Sequence, residues 1–192
     1  MKIGVLALQG GYQKHLQTLD RIKIEHQTVR LPVELNTIDA LILPGGESTT
    51  IIKLILSFGL FDSLQNFAKT KPIFGTCAGA IILADKVNLF DFPTLKLLDI
   101  EVERNAYGTQ INSFYDHFDF NHKKVEAMFI RAPKILKVGQ NSQILASHQD
   151  LPILVRNKSH LVCTCHPELT DETTIHQYFV EEFVKPNKTN SQ

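Results

Sequence analysis

The feature that most constrains the fold is a unit that occurs three times: a run of apolar residues, a glycine-containing turn and a stretch with helical spacing. The three apolar runs begin at Lys2, Asp39 and Pro72. Because such runs suit strands that are covered on both faces, their alternation with helices predicts a parallel sheet between two helical layers. Functional sites in such folds form beyond the carboxyl ends of the strands, where the three glycine turns lie.

The second half of the chain has a different pattern. Its apolar residues fall in short runs at close spacing, which predicts strands at 100–103, 114–118, 125–130, 144–147, 153–156 and 161–165. Short strands so close together favour antiparallel pairing, and a final helix is expected over about 171–184. We therefore expect an α/β fold with a three-layer, doubly wound, mostly parallel sheet and an antiparallel extension.

Length and charge narrow the possible functions. The chain has 192 residues, and its 20 lysines and arginines balance 20 aspartates and glutamates. A chain of this length predicts a single domain, over residues 1–185, with a flexible polar tail at 186–192. Because no run of like charges occurs, we expect no nucleic-acid or membrane partner. Three cysteines, no signal-like region and no bilayer-length apolar run favour a cytoplasmic protein.

Cys77 lies at the turn of the third unit. Gly75 and Gly79 flank it, and a helix-compatible stretch follows at 80–84. This pattern predicts a strand, a sharp turn and a helix, with the thiol exposed at the turn. Unpaired N–H groups at the start of a helix favour a thiolate, so Cys77 is a candidate nucleophile. The alternative is that Cys77 is a small buried apolar residue, as most unpaired cysteines are.

A cysteine nucleophile needs a base, and His166 has the most suggestive setting of the eight histidines. It ends a strand-like run, and Pro167 after it favours an extended backbone. Residues two apart in an extended chain face the same side, so Glu168 could orient the imidazole. With Cys77, these residues match the pattern of a nucleophile, base and orienting acid.

The same stretch could instead be a metal site made of Cys163, Cys165 and His166. Strand alternation places the two thiols on one face and the imidazole on the other. In addition, no second cysteine pair is present to complete a zinc site. We therefore expect no metal and interpret the two cysteines as core residues.

The turn of the second unit, Gly45 and Gly46, admits two interpretations. A glycine pair most often makes a tight turn. Alternatively, the backbone N–H of Gly46, together with that of Ala78, could bind the oxyanion of a tetrahedral intermediate. The chain has neither a GxGxxG fingerprint nor a P-loop, which argues against a nucleotide site.

Three motifs in this order resemble class I, triad-type glutamine amidotransferases. They are Gly45-Gly46-Glu47-Ser48, the residues 75–79 around Cys77, and His166-Pro167-Glu168. Within that family the chain is most similar to the glutaminase subunits of pyridoxal 5'-phosphate synthase, on the segments 6–10, 43–50, 74–79, 103–108, 129–133 and 166–170. Three separate motifs are more specific than any one, and they span nearly the whole chain.

The resemblance implies an enzyme that hydrolyses L-glutamine to L-glutamate and ammonia through a cysteine thioester. It assigns Cys77 as nucleophile, His166 as general acid and base, and Glu168 as the residue that orients His166. Glutamine would be held by Gly46, Glu47, Ser48, Arg104, Ile130 and Arg131. An arginine fork suits the α-carboxylate of the substrate. Neither a metal nor a cofactor is required.

The resemblance also implies a partner. Ammonia would pass along a protected path to a synthase subunit with a (β/α)-barrel fold, in a hetero-oligomeric complex. That subunit condenses it with ribose 5-phosphate or ribulose 5-phosphate and glyceraldehyde 3-phosphate, so pyridoxal 5'-phosphate is a product. Two alternatives stay open: a glutaminase of another pathway, such as histidine biosynthesis, and a non-hydrolytic thiol or binding protein on a related fold.

The sequence departs from the pattern of that family at two places. After Gln9 and Gly10 the family continues with small or apolar residues and then Arg-Glu-His, whereas here Gln13 and Lys14 precede His15. The family also carries an arginine where Thr109 stands. Both changes avoid the triad and concern docking of the partner. His15 itself is expected to be structural, as a lone histidine on a first helix usually is.

Overall fold

The computed structural model describes residues 1–104 and 113–186. Its helices are α1 (Tyr12–Arg21), α2 (Ser48–Ser57), α3 (Phe61–Ala68), α4 (Ala78–Leu83) and α5 (Thr174–Phe179). Its strands are β1 (Lys2–Leu6), β2 (Glu25–Val29), β3 (Ala40–Leu43), β4 (Ile73–Thr76), β5 (Ala84–Asn88), β6 (Leu98–Glu103), β7 (Phe114–Phe120), β8 (Lys123–Phe129), β9 (Lys134–Val138), β10 (Gln143–His148), β11 (Leu151–Arg156) and β12 (His160–Cys163). Short 3₁₀ turns cover Pro32–Thr37 and Pro167–Leu169, and a π-helical turn, Val180–Val184, continues α5. Of the tail predicted at 186–192, all but the first residue lies outside the described residues.

The central sheet has the strand order β10-β11-β12-β4-β3-β1-β2 in the described part of the chain. The strands from β12 to β2 are parallel to one another. At the other edge β11 and β10 pair antiparallel. The predicted α/β class, with a mostly parallel sheet and an antiparallel extension, is confirmed.

The antiparallel extension is smaller than the sequence pattern predicts. Of the six short strands expected there, the first three do not join the central sheet. β6 pairs with β5 and β9 in a separate three-stranded sheet, and β7 pairs with β8 in a separate hairpin. Alternation along a strand shows which side chains share a face, but it does not show which edge the strand pairs with.

The central strands send alternate side chains into two cores. Leu41 and Ile73 are buried in the core that includes α2, α3 and α4. Their neighbours Ile42 and Phe74 are buried in the other core, which includes α1 and α5. Because both faces are covered, the strands consist of continuous apolar residues, and the molecule has the three layers that the sequence predicts.

The sheet has a point at which successive connections go to opposite faces. β1 leads into α1 in one layer, and β3, its neighbour in the sheet, leads into α2 in the other. The loops after the two strands therefore part and leave a crevice, where ligands bind in folds of this type. The backbone N–H of Glu47 bridges this crevice by donating to Gln9 Oε1 at 2.9 Å.

No single helix among the described residues is long and apolar enough to cross a membrane. The pair formed by α2 and α3 is long and apolar enough when the two helices are taken together, but this criterion considers length and composition alone. The two helices are bent by 97° relative to each other.

We expect Gly79→Ala to destabilise the fold, because a Cβ at Gly79 would overlap the backbone carbonyl oxygen of Leu43. That atom belongs to a central strand and cannot move without disturbing the sheet. The free energy of unfolding should fall by about 2 kcal/mol or more, measured by urea denaturation. Gly11→Ala is the matched control, because its Cβ would have its nearest contact at 3.9 Å, and it should cost less than about 1 kcal/mol. Equal losses in the two variants would contradict the packing argument.

Candidate active site

Cys77 forms a one-residue turn between β4 and α4. Its φ of 46° and ψ of −102° are values that residues other than glycine rarely adopt, so the backbone is strained there. Two features allow the turn to form. The Cys77 N–H donates to the carbonyl oxygen of Cys163 at 2.8 Å. In addition, Gly75 has no side chain, so its backbone can pack closely against Gly79, whose carbonyl carbon would lie only 2.7 Å from a Cβ at Gly75. The strand, sharp turn and helix predicted from the sequence are present, but the thiol is not exposed as expected, because only 7% of the surface of Cys77 is accessible.

His166 is held by β8 and by the turn that follows β12. Its N–H donates to the carbonyl oxygen of Met128 at 2.8 Å, and its own carbonyl accepts from the Met128 N–H at 3.3 Å. The imidazole Nδ1 lies 2.7 Å from Glu168 Oε1. The sequence predicts this contact from an extended chain, but Pro167–Leu169 is a 3₁₀ turn. Proline also fits the first position of a helical turn, so it folds Glu168 back towards the ring.

Gly45 packs against both Cys77 and His166. A Cβ at Gly45 would overlap Cε1 of the imidazole and lie 3.1 Å from the Cβ of Cys77. The Gly45 N–H donates to Thr76 Oγ1 at 3.1 Å, which fixes the loop after β3 against the end of β4. The absence of a side chain at this position allows the thiol and the imidazole to approach the same loop.

Glu168 and His166 shift each other's pKa. Burial raises the pKa of Glu168, but the imidazoles of His15 and His166 outweigh burial and hold the pKa of this carboxyl at about 2. Burial lowers the pKa of His166, yet the negative charges of Glu168 and Cys77 raise it well above the usual value of 6.5. A protonated imidazole is therefore favoured between two acidic groups.

These three side chains line a cavity of about 530 Å³ at the carboxyl ends of the central strands. The other residues that line it are Gln9, Gly11, Gly45, Gly46, Glu47, Ser48, Ile81, Arg104, Ser113, Ile130, Arg131 and Leu169. The structure thus brings together every site residue predicted from the sequence except Ala78. That residue begins α4 directly after Cys77. A cavity of this volume fits a small organic ligand.

A family model described as the SNO glutamine amidotransferase family matches residues 5–185. The chain belongs to this family. It is 47% identical over 179 residues to the pyridoxal 5'-phosphate synthase subunit PdxT of Francisella tularensis subsp. novicida (strain U112). It is 46% identical to the PdxT subunit of Francisella tularensis subsp. holarctica (strain OSU18). Each match covers 93% of this chain and 97% of the relative.

Solved structures agree with this membership. A crystal structure of a glutamine amidotransferase superposes with a TM-score of 0.89 at 42% identity, covering 93% of this chain and 97% of that one. PurLQS from Thermotoga maritima superposes with a TM-score of 0.68 at 15% identity, covering 94% and 97%. The second likeness extends to the fold alone.

Two charged residues that the amidotransferase resemblance assigns to glutamine lie together in the cavity. Arg104, at the end of β6, has a terminal guanidinium nitrogen 3.5 Å from Glu47 Oε1. Its guanidinium carbon is also 4.9 Å from the centre of the Phe90 ring. Glu47 precedes α2 and accepts from the Thr49 N–H at 3.4 Å. These contacts order both side chains at the cavity wall, and their role in binding stays a prediction.

The remaining predicted glutamine residues lie on two loops. Gly46 and Ser48 belong to the loop after β3 and the start of α2. Ile130 and Arg131 follow β8, and the Ile130 carbonyl oxygen is 4.0 Å from Cys77 Sγ. Arg131 has a φ of 43°, which is unusual for a side chain of its size. Thr109, where the sequence departs from the family, lies outside the described residues.

Sequence reasoning missed several residues of the cavity. Gln9 follows the apolar run that contains β1, so the rule that sites form at the carboxyl ends of parallel strands could have found it. Ile81, Ser113 and Leu169 carry no comparable signal, because only the folded chain brings them to the cavity.

The structure also bears on the suggested metal site. In the ranges 1–104 and 113–186, no group of three or more His, Cys, Asp or Glu side chains is arranged to hold a metal ion. Cys163 and Cys165 are fully buried, and their sulfur atoms lie 3.1 Å apart. The interpretation of these two cysteines as core residues that share a face is confirmed.

We expect Glu168→Gln to lower the pKa of His166, because burial is then opposed by one negative charge fewer. The imidazole should lose its proton at a lower pH than in the wild type. Titration of the His166 ring nitrogens by NMR measures this. Glu47→Gln is the matched control, because Glu47 does not contribute to the raised pKa of His166. An unchanged titration in Glu168→Gln would contradict the electrostatic account.

Proposed function

We propose that this chain is the glutaminase subunit of a pyridoxal 5'-phosphate synthase. It hydrolyses L-glutamine to L-glutamate and ammonia and supplies the ammonia to a synthase subunit. The observation that carries this proposal is the strained Cys77 at a cavity that also holds the hydrogen-bonded His166 and Glu168. The names of relatives that align along 93% of the chain supply the pathway.

The reaction begins when Cys77 Sγ attacks the side-chain amide carbon of glutamine. His166, which already holds the proton of the thiol, donates it to the leaving nitrogen, so ammonia departs and a thioester remains. Water, deprotonated by His166, then attacks the thioester carbonyl, and glutamate and the free thiol are released. Glu168 accepts a hydrogen bond from the imidazole, which keeps the ring oriented and stabilises its positive charge.

The backbone N–H groups of Gly46 and Ala78 bind the oxyanion of both tetrahedral intermediates. Ala78 supports this role because it is the first residue of α4, so its N–H has no acceptor within the helix. Gly46 supports it because it lines the cavity. One such donor contributes about 2.7 to 4 kcal/mol to lowering the barrier.

The charges of glutamine match those of the cavity. The guanidinium of Arg104 binds the α-carboxylate, and the carboxylate of Glu47, which lies 3.5 Å from that guanidinium, binds the α-ammonium. Ser48, Ile130 and Arg131 complete the pocket. The substrate separates Arg104 from Glu47, so the two charges face ligand groups.

The partner is a synthase subunit with a (β/α)-barrel fold, which condenses the ammonia with a pentose phosphate and glyceraldehyde 3-phosphate. Neither a metal nor a cofactor takes part in the glutaminase half. A single domain over 1–185 is supported by the family match over 5–185. A cytoplasmic location is supported by three unpaired cysteines.

We expect Cys77→Ala to abolish ammonia release from glutamine, because the thioester cannot form. The assay is ammonia production by the purified chain mixed with the synthase subunit, and without it. Cys163→Ala is the matched control, because this thiol is fully buried in the core and the reaction does not use it. Persisting activity in Cys77→Ala would refute the proposal.

Two further experiments distinguish this proposal from a glutaminase of another pathway and from a non-hydrolytic thiol protein. Copurification with the histidine-pathway synthase, and not with the pyridoxal phosphate synthase, would indicate a glutaminase of that pathway. Failure of a glutamine-mimicking electrophile to label Cys77 would support a non-hydrolytic thiol protein.

We expect Arg104→Met to raise the KM for glutamine about tenfold or more, with a smaller change in kcat, because the carboxylate loses its charged partner. Steady-state kinetics of the complex measure both constants. Lys53→Met is the matched control. Lys53 lies 5.4 Å from the centre of the Phe92 ring, beside the Phe90 ring that Arg104 covers, but it does not line the cavity. A KM that is unchanged in Arg104→Met would exclude the carboxylate role.

A further inference from the structure

Two buried histidines adjoin the proposed triad without lining its cavity. His15, in α1, has 0% of its surface exposed, and His176, in α5, has 1%. The Nε2 atom of His15 lies 3.5 Å from Glu168 Oε1 and 3.1 Å from Thr76 Oγ1. The Nδ1 atom of the same ring lies 2.9 Å from His176 Nε2. The pair thus connects α1 and α5 to the carboxylate that orients His166.

The carboxylate decides which nitrogen of His15 carries the proton. A lone pair on Nε2 would face the negative Glu168 Oε1, so the stable tautomer has its proton on Nε2. Nε2–H then donates to Thr76 Oγ1, and Glu168 Oε1 lies 3.5 Å from the same nitrogen, within reach of its partial positive charge. Nδ1 accepts from the Nε2–H of His176. His176 therefore fixes the ring of His15 with its Nε2–H beside the carboxylate.

Three charged groups face this pair, and they act in opposite directions: His166 and Arg21 favour neutral rings, whereas Glu168 favours protonated ones. Glu168 and His166 belong to the segment after β12, and Arg21 belongs to α1. Burial lowers the pKa of His15, and it lowers that of His176 to about 3. Each ring is then one donor and one acceptor, as the hydrogen bonds require.

Glu168 has few other partners. Among the residues that the structure describes, none forms a hydrogen bond with its buried Oε2. The charge is therefore stabilised mainly around Oε1, where His166 lies at 2.7 Å and His15 at 3.5 Å. Because a buried anion with few donors is costly, each donor matters to its orientation.

We propose that His15 is a positioning residue of the active site: aligned by His176, its Nε2–H holds the Glu168 carboxylate in the orientation that serves His166. In catalysis this role rests on the glutaminase function proposed above. Thr76 extends the connection, because its Oγ1 also accepts from the N–H of Gly45, the glycine that packs against Cys77 and His166.

The kinetic test compares two substitutions of His15, by glutamine and by asparagine, whose side-chain amides place the N–H donor at different positions. The side-chain nitrogen of His15→Gln reaches the Nε2 position, whereas His15→Asn reaches only the Nδ1 position and withdraws the donor from Glu168. In the complex with the synthase, we expect His15→Asn to lower kcat about tenfold or more, with the KM for glutamine within about twofold, and His15→Gln to retain most of kcat. Leu19→Val, a buried change in the same helix, controls for general destabilisation. Equal kcat in the two amide variants would overturn the proposal.

A second readout does not depend on glutamine. Iodoacetamide alkylates Cys77 in the isolated full chain, and peptide mass spectrometry separates it from the buried Cys163 and Cys165. In His15→Asn the midpoint of the rate against pH should rise by about half a unit, because the imidazolium beside the thiolate is less well stabilised. His15→Gln and Leu19→Val should match the wild type. An unchanged midpoint in His15→Asn would overturn the positioning role. If the midpoint shifts in His15→Asn but the wild-type chain releases no ammonia from glutamine, the positioning role is supported and the glutaminase function is refuted.

Discussion

A carboxylate with 1% of its surface exposed remains charged only if neighbouring groups compensate for the loss of water. Glu168 meets this condition through His166 and through the imidazole of His15, and the low pKa of Glu168 follows. The raised pKa of His166 follows in turn. The protonation state of the whole site thus depends on one buried charge. That charge lies in the turn after β12, beside His15 of α1, whose ring in turn contacts His176 of α5. The packing of these elements is therefore coupled to the chemistry of the cavity.

The nucleophile depends on a second constraint, which is geometric. A φ of 46° at Cys77 is costly. It is maintained because the residues two positions before and after Cys77 are glycines, so the backbone there packs closely. Gly75 and Gly79 contact each other, and Gly79 also meets the carbonyl of Leu43. Hydrogen bonding from the Cys77 N–H to Cys163 ties the turn to the neighbouring strand. The sheet therefore supplies the rigidity that a strained turn requires, and the thiol gains a fixed direction.

Sequence reasoning succeeded where the signal was local. Apolar runs followed by glycine turns identified β1, β3 and β4, and each turn lies at the carboxyl edge of the sheet. It failed for β2, whose residues Glu25–Val29 are mostly polar because the strand forms the edge of the sheet. It also failed for the placement of β6, β7 and β8. Pairing partners are set by contacts between distant segments, which periodicity along one strand does not contain.

The sequence by itself determined the class of fold, the turn at Cys77 and the neighbourhood of His166 and Glu168, because each depends on residues within a few positions of one another. The tertiary structure decided how these parts meet. It replaced the expected extended geometry after His166 with a 3₁₀ turn, and it brought Gln9, Arg104 and Arg131 to one cavity. It also buried His15 against Glu168, over 150 residues away in the chain. The residues around a histidine on a helix do not indicate such a contact, because the packing of α1 against the sheet determines which residue the imidazole meets.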